Sequence, residues 1–337
     1  MHRSPGAAFP SMDRRSLLVR TAALLAVAGS ARAQPAERVV KLGYLGGGVR
    51  LADGRPPPPL RQALAELGYV EGRNLAFASR WAEAQRERLP SLAEEVVAAG
   101  VDAIVAGGTL AAFSAARATS TIPVVALFSG DPVGVGLVAS LSRPGGNVTG
   151  VTDQAVELSA KRLQILKEAV PHATRVAVLW NAQDRAMTLR YREIELAAAR
   201  LGVTVQALGV REPDDFAQAF TAMDRERPDA MFLVTDALTL LNRKRVLDFA
   251  NARRIPAMFE YAFLVHDGGL ISYGANMEDL YRRVAIYVDR VLKGAKPGDM
   301  PIEQPTRFYL VVNLRTAATL GLTLPAALVA RADEVVQ

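Results

Sequence analysis

Residues 101–132 read VDAIVAGGTLAAFSAARATSTIPVVALFSGDP. Ala103–Ala106 is an apolar run of strand length, Gly107-Gly108-Thr109 interrupts it, and Leu110–Ala118 carries helical spacing. Ile122-Pro123 then opens a second apolar run that ends at Phe128. Strand, helix, strand in this order is the βα alternation of a parallel sheet.

The same alternation continues on both sides. Upstream, Val39–Leu45 and Leu75–Trp81 read as strands around a helix, Leu60–Leu67, that Gly68 ends. Leu89, Leu92, Ala93, Val96 and Val97 share one helical stripe before Gly100 stops it. Val148–Thr152 closes this half. Downstream, strands are predicted at Val176–Trp180, Val203–Val210, Ala230–Val234, Pro256–Phe259, Leu270–Tyr273 and Phe308–Val312. Helices are predicted over 158–169, 242–253, 279–292 and 314–320, and around Met187–Leu201 and Phe216–Met223.

Landmarks recur in order. Leu67-Gly68 is matched by Leu201-Gly202, Val101-Asp102-Ala103-Ile104 by Pro228-Asp229-Ala230-Met231, and Ile122-Pro123 by Ile255-Pro256. The expectation is two similar open α/β lobes with parallel sheets. Ligands in such sheets bind beyond the strand C-terminal ends, so a cleft between the lobes that closes by hinge motion follows.

Residues at those strand ends are the candidate ligand contacts. Gly108 permits close backbone approach, and Thr109 at a helix N-terminus suits a ligand anion or an ordinary βα turn. Ser129 and Asp131 follow the next strand and offer a hydroxyl and a carboxylate, although Asp131 before Pro132 equally suits an Asx-type turn. In the second half, Asn181, Asp236, Glu260 and Tyr273 hold equivalent positions, Asp236 doubling as a helix cap and Tyr273 as an aromatic wall. Core or cap use competes with ligand contact at each.

Constellations for chemistry are scarce. The chain has three histidines and no cysteine, which excludes disulfides, thiolate chemistry and a lipid anchor on an N-terminal cysteine. His172 and His266 are far apart and in no metal-ligand spacing. There is no G-x-S-x-G elbow or phosphate loop, and Gly46-Gly47-Gly48 lacks the dinucleotide spacing. We expect no enzyme, no catalytic residue, no cofactor and no metal.

The chain has 337 residues, 50% of them hydrophobic, enough for a substantial core. Its net charge is +6, but residues 1–33 hold five arginines against one aspartate, leaving 35 basic and 33 acidic groups beyond. Nucleic-acid binding is therefore not expected. Arg14-Arg15, the apolar run Thr21–Ala28 and Ala31-Arg32-Ala33 read as a cleavable export signal over 1–33, with Gln34 first after cleavage and Met12 an alternative start. Arg14-Arg15-Ser16-Leu17-Leu18 fits twin-arginine export as well as the general route. The mature protein is expected outside the membrane and in the periplasm.

Several segments together resemble the ABC transporter substrate-binding proteins of the tryptophan/tyrosine-type group. They are Leu67-Gly68-Tyr69-Val70-Glu71-Gly72-Arg73-Asn74, Asp131-Pro132-Val133-Gly134, and Leu141-Ser142-Arg143-Pro144-Gly145-Gly146-Asn147-Val148-Thr149-Gly150. Gly269–Gly274, Asp289–Pro297, Leu320-Gly321-Leu322 and Ala330–Val335 continue the match. The resemblance implies a type I periplasmic binding fold with a three-segment hinge near Gly150–Asp153, Tyr273–Asn276 and Gln304–Phe308. Lobe 1 would span 34–150 plus 276–304, and lobe 2 would span 151–275 plus 305–337. It also implies a monomer that binds an amino-acid-like ligand, with aromatic amino acids the leading idea in related proteins, for an ABC permease in the inner membrane. Thr109 and Ser129 would hold the ligand's polar end, with Tyr273 near the cleft. One departure is the Gly54-Arg55 and four-proline loop over the pocket. A periplasmic sensor without a transport partner, a cleft enzyme and a DNA-binding regulator are the competing readings.

Overall fold

The computed structural model describes residues 1–2, 38–153 and 155–337. The export segment over 1–33, with Met12 and the cleavage point at Gln34, thus lies outside the described residues except for Met1 and His2.

In the first sheet, β1 (Val40–Gly46), β2 (Leu75–Trp81), β3 (Ala103–Gly107), β4 (Val124–Phe128) and β5 (Val148–Thr152) run parallel in the order β2-β1-β3-β4-β5. The second sheet contains β6 (Arg175–Asn181), β7 (Thr204–Val210), β8 (Ala230–Leu233), β9 (Ala257–Phe259), β10 (Ile271–Gly274), β11 (Tyr309–Asn313) and β12 (Glu334–Val336). Its order is β12-β11-β10-β9-β8-β6-β7, parallel except between β10 and β11. Without β11 and β12, this is the first sheet's order again.

The repeated landmarks have one physical meaning in both halves. The Asp102 carboxylate accepts the Lys41 N–H at 2.8 Å, and Asp229 accepts those of Thr174 and Arg175 at 2.7 and 2.9 Å. Each aspartate satisfies the start of the neighbouring strand. Pro123 and Pro256 each give a carbonyl to the neighbouring, preceding strand, at 2.8 Å from the Ile104 and Met231 N–H groups.

Helices α1 (Pro58–Glu66), α2 (Leu89–Ala98) and α3 (Thr109–Ala118) connect the first four strands, and α4 (Ala155–Ala169), α5 (Arg185–Arg200), α6 (Asp215–Arg225), α7 (Ala237–Leu241), α8 (Arg243–Ala252) and α9 (Ala262–His266) belong to the second half. Next come α10 (Met277–Leu292), α11 (Leu314–Leu320) and α12 (Ala326–Ala330). Alternate side chains of each parallel strand fall into apolar clusters on opposite faces: Leu42 and Val105 on one side of the first sheet, Leu45 and Ile104 on the other. Val176 and Phe232 oppose Ala177 and Met231 in the second sheet. The short elements α7, α9, α12 and β12 were not predicted, because three to five residues carry no readable period.

The chain passes between the sheets at three places among the described residues. The first follows β5. The second follows β10, after which α10 packs on α1, β4 and β5. The third lies between Glu303, which bridges to Val151, and β11. Because Val151 and Thr152 pair with β4 and the Asp153 N–H bonds the Phe128 carbonyl, we propose that lobe 1 runs to Asp153.

A glycine stands in the strand that leads into each of the first two crossings. Gly150 has φ +148°, and a Cβ there would collide with the Ala126 carbonyl on β4. At Gly274 a Cβ would collide with the Glu260 carbonyl. Gly150→Ala should therefore destabilise the fold by about 3 kcal/mol or more. A denaturation midpoint equal to the wild type's would contradict this account of the strand.

Candidate functional site

The C-terminal ends of both sheets open onto a cavity of about 570 Å³, within the range of small-molecule sites. Residues of both lobes line it.

From lobe 1 comes the turn that the sequence marked. Gly108, at φ +105°, is followed by Thr109 at the start of α3, and the Thr109 hydroxyl donates to the Ser129 carbonyl at 3.2 Å. This aligns the two turns after β3 and β4 side by side. Beside them lie Tyr44 and Trp81, whose ring centroids are 4.8 Å apart, with Met277, Leu280 and Tyr281 of α10. Burial pushes the Tyr44 phenol well above its ordinary value, and its hydrogen bond to Tyr281 adds to this. Val49, Leu51, Pro57 and Pro58 extend the apolar wall, so the proline loop does form part of the cavity.

Lobe 2 presents carboxylates. Asp236 caps α7, accepting the Thr239 N–H at 2.9 Å, and also accepts from the Asn181 amide at 2.6 Å. Asp184 caps α5 through the Ala186 N–H at 2.8 Å. Burial, with Asp236 nearby, pushes the Asp184 carboxyl up to about 6. Burial raises Asp236 too, opposed by the bonds it accepts from Thr239 and Asn181.

The lobes touch across the cleft. Arg86 Nη1 donates to the Gln183 carbonyl at 2.7 Å. Val135, Leu137 and Phe113 of lobe 1 join the apolar cluster of lobe 2. Glu83 and Ala84, ahead of Arg86, have φ of 54° and 59°, a strained turn held by bonds to the Gly48 and Gly47 carbonyls.

Beneath the cavity is a buried ionic cluster. Glu260 is 0% exposed and accepts Arg162 Nη1 at 3.3 Å, Arg190 Nη2 at 3.0 Å and the Thr235 N–H at 3.1 Å. Arg190 Nη2 also reaches Asp153 at 3.4 Å, and the Tyr261 hydroxyl donates to Asp153 at 2.7 Å. Arg162 Nε donates to the Tyr273 carbonyl at 2.6 Å. Burial raises the Glu260 carboxyl, and the two guanidiniums oppose this.

Gly108, Thr109, Ser129, Asn181 and Asp236 therefore meet on one cavity wall or the facing one. Asp131, Glu260 and Tyr273 do not line it. Asp131 closes its own turn on the Val133 N–H at 2.9 Å, which directs Val135 and Leu137 onto lobe 2. Glu260 anchors the ionic cluster. Tyr273 packs against Phe308 with centroids 6.1 Å apart, beside the second and third crossings.

The sequence reading placed Tyr261 with Glu260 at a strand end, and it did not single out Tyr44, Trp81, Asp184 or Tyr281, nor the cluster arginines. Tyr44 and Trp81 were accessible to the strand-end rule that selected the others. Arg190 falls on the stripe of Met187, Ile194 and Ala198, and Arg162 beside Leu158 and Leu166. A charge inside an apolar stripe was the available signal.

Residues 59–336 match the family model for the ABC transporter substrate binding protein. The chain belongs to this family. It is a substrate-binding protein, not an enzyme, and its two lobes have the type I periplasmic binding arrangement. A curated relative, a tyrosine-binding protein of Clostridioides difficile, is 28% identical over 262 residues, covering 77% of this chain and 75% of the relative. A Streptococcus pneumoniae ABC domain solved in complex with L-Trp has 26% identity and a TM-score of 0.80, covering 88% of this chain and 100% of that one. A conserved domain protein of Vibrio cholerae has 26% identity and a TM-score of 0.82 over the same shares.

Glu260→Gln tests the ionic cluster of this substrate-binding protein. It leaves two buried guanidiniums facing one carboxylate, so stability should fall by about 3–5 kcal/mol in chemical denaturation. A loss below about 1 kcal/mol would show that the cluster is not a support of the cavity floor.

Proposed function

We propose that the protein captures an amino acid with a large apolar, preferably aromatic, side chain between its lobes and delivers it to an ABC permease in the inner membrane. One observation carries this reading. The Ser129 hydroxyl and the first N–H groups of α3, at Thr109 and Leu110, which have no acceptor inside the helix, share the cavity with the buried Asn181–Asp236 pair and with an aromatic wall. The ligand carboxylate meets the first set and its ammonium the second, while Tyr44, Trp81 and Tyr281 enclose the side chain. The tyrosine-binding relative and the structure holding L-Trp support the same ligand class.

Residues 1–33 direct export, and the mature protein acts as a monomer in the periplasm. No described helix is long and apolar enough to cross a membrane. In this reading Asp131, Glu260 and Tyr273 contribute by shaping the cavity from behind.

Thermal shift and calorimetry with tyrosine, tryptophan, phenylalanine, aspartate and lysine test the proposal. The aromatic amino acids should stabilise most, by roughly 2.7 kcal/mol at 100 times their dissociation constant. Asp236→Asn keeps the helix cap but removes the charge, so binding should weaken roughly 10- to 100-fold. No response to any amino acid, or conversion of the bound one into a product, would overturn the proposal.

Acidity offers a separate check, with two opposite signs. Asp184 has a folded-state value of about 6 against an ordinary 3.8, so the folded chain holds a proton that the unfolded chain releases. Its contribution to ligand-free stability is full below the ordinary value and is lost as pH rises through about 6. Asp184 lines the cavity beside Asp236, and in this reading its carboxylate adds to the attraction for the ligand ammonium, so affinity should rise over that same interval. Affinity that stays flat between pH 5 and about 7, in a titration series bracketing the Asp184 value, would remove Asp184 from the ammonium site.

A further inference from the structure

Asp153 stands at the first crossing, and its main chain still belongs to lobe 1 through the bond to Phe128. Its side chain, 3% exposed, is divided between the lobes. Oδ1 accepts the N–H of Gly130, next to Ser129, at 3.1 Å. Oδ2 accepts the Tyr261 hydroxyl at 2.7 Å and Arg190 Nη2 at 3.4 Å, both from lobe 2. Ser129 and Tyr261 line the cavity. Arg190 Nη1 also donates to the carbonyl of Thr235, one residue before Asp236, at 3.0 Å. One buried carboxylate thus ties the cavity turn of lobe 1 to the cavity wall of lobe 2.

Rotation of the lobes acts differently on the two oxygens. Gly130 moves with Asp153, so the Oδ1 bond survives opening. Tyr261 and Arg190 move with lobe 2, so the Oδ2 bonds lengthen as the cleft widens. Their loss leaves the Asp153 charge less compensated and Arg190 with Glu260 as its remaining ion-paired carboxylate. Uncompensated charge in a buried site is costly, which biases the pair of lobes toward the closed arrangement. A ligand seated against Tyr261 and the Ser129 turn holds both attachment points in the geometry that Asp153 requires.

We infer that Asp153 is the positioning residue that couples filling of the cavity to closure of the lobes. The inference rests on reading the cavity as the ligand site, but it sets the closing equilibrium even without ligand.

The absence of cysteine makes the test direct. A Glu87→Cys, Glu212→Cys pair, exposed on opposite lobes, accepts two spin labels for distance measurement in the full mature chain. Ligand-free protein and protein with L-tyrosine or L-tryptophan are compared for wild type, Asp153→Asn and Tyr261→Phe. The substitution Asp153→Asn removes the charge and can turn an amide donor toward two donors, so it should shift the closed-to-open ratio roughly 10- to 100-fold toward open. Affinity should fall by the factor that the closing equilibrium loses, through faster release. Tyr261→Phe should move the ratio in the same direction by less, and the double variant should show less than the sum. A lowered melting temperature with unchanged distances in both variants would make Asp153 merely structural and overturn the inference. Should Asp153→Asn fail to fold, unchanged distances in Tyr261→Phe alone do so. Shifted ligand-free distances with no response to any amino acid would uphold the coupling and overturn the ligand assignment instead.

Discussion

The arrangement depends on one buried set of charges. Arg162, Arg190, Glu260 and Asp153 form a group of two cations and two anions with almost no solvent contact. Removing four charges from water is unfavourable unless each finds partners in good geometry. Here the partners are the elements that the cavity needs: the Thr235 backbone before Asp236, the Tyr261 phenol, the Gly130 turn and the Tyr273 carbonyl. The cluster fixes where lobe 2 presents its polar groups because moving any of them exposes a charge to an unmatched site.

Around this floor, the parallel sheets do the remaining positioning. Both faces of each sheet are covered by helices, so the open strand C-terminal ends are where backbone donors and short polar side chains stay accessible. Thr109, Ser129, Asn181 and Asp236 all sit there for that reason. Matching topology in the two halves, with the same order over five strands, gives each lobe such an edge, and both open onto the cavity. The glycines at positions 150 and 274 let β5 and β10 lie tightly against backbone carbonyls of their own lobes just before the first two crossings.

Much of the fold was legible because parallel strands are local signals. Ala103–Ala106, Val124–Phe128 and their counterparts are buried on both faces and read as unbroken apolar runs. The repeated Asp102 and Asp229, and the prolines at 123 and 256, were visible as spacing before their shared bonding role was known. Within the site, residues directly after a strand were found. Tyr281 and Met277 were not, since they reach the cavity from a helix that returns to lobe 1 after more than a hundred residues in lobe 2.

The sequence by itself determined the alternation, the doubling of the unit and the strand ends at which ligand groups collect, because each follows from contacts between near neighbours in the chain. Tertiary structure alone decided which of those ends share a wall. It drew Glu260 away from the cavity to neutralise two arginines and set Asp131 to shaping a turn. Charge pairing acts through space over separations such as the 108 residues between Asp153 and Tyr261. No pattern along the chain records that distance, so only the folded arrangement reveals it.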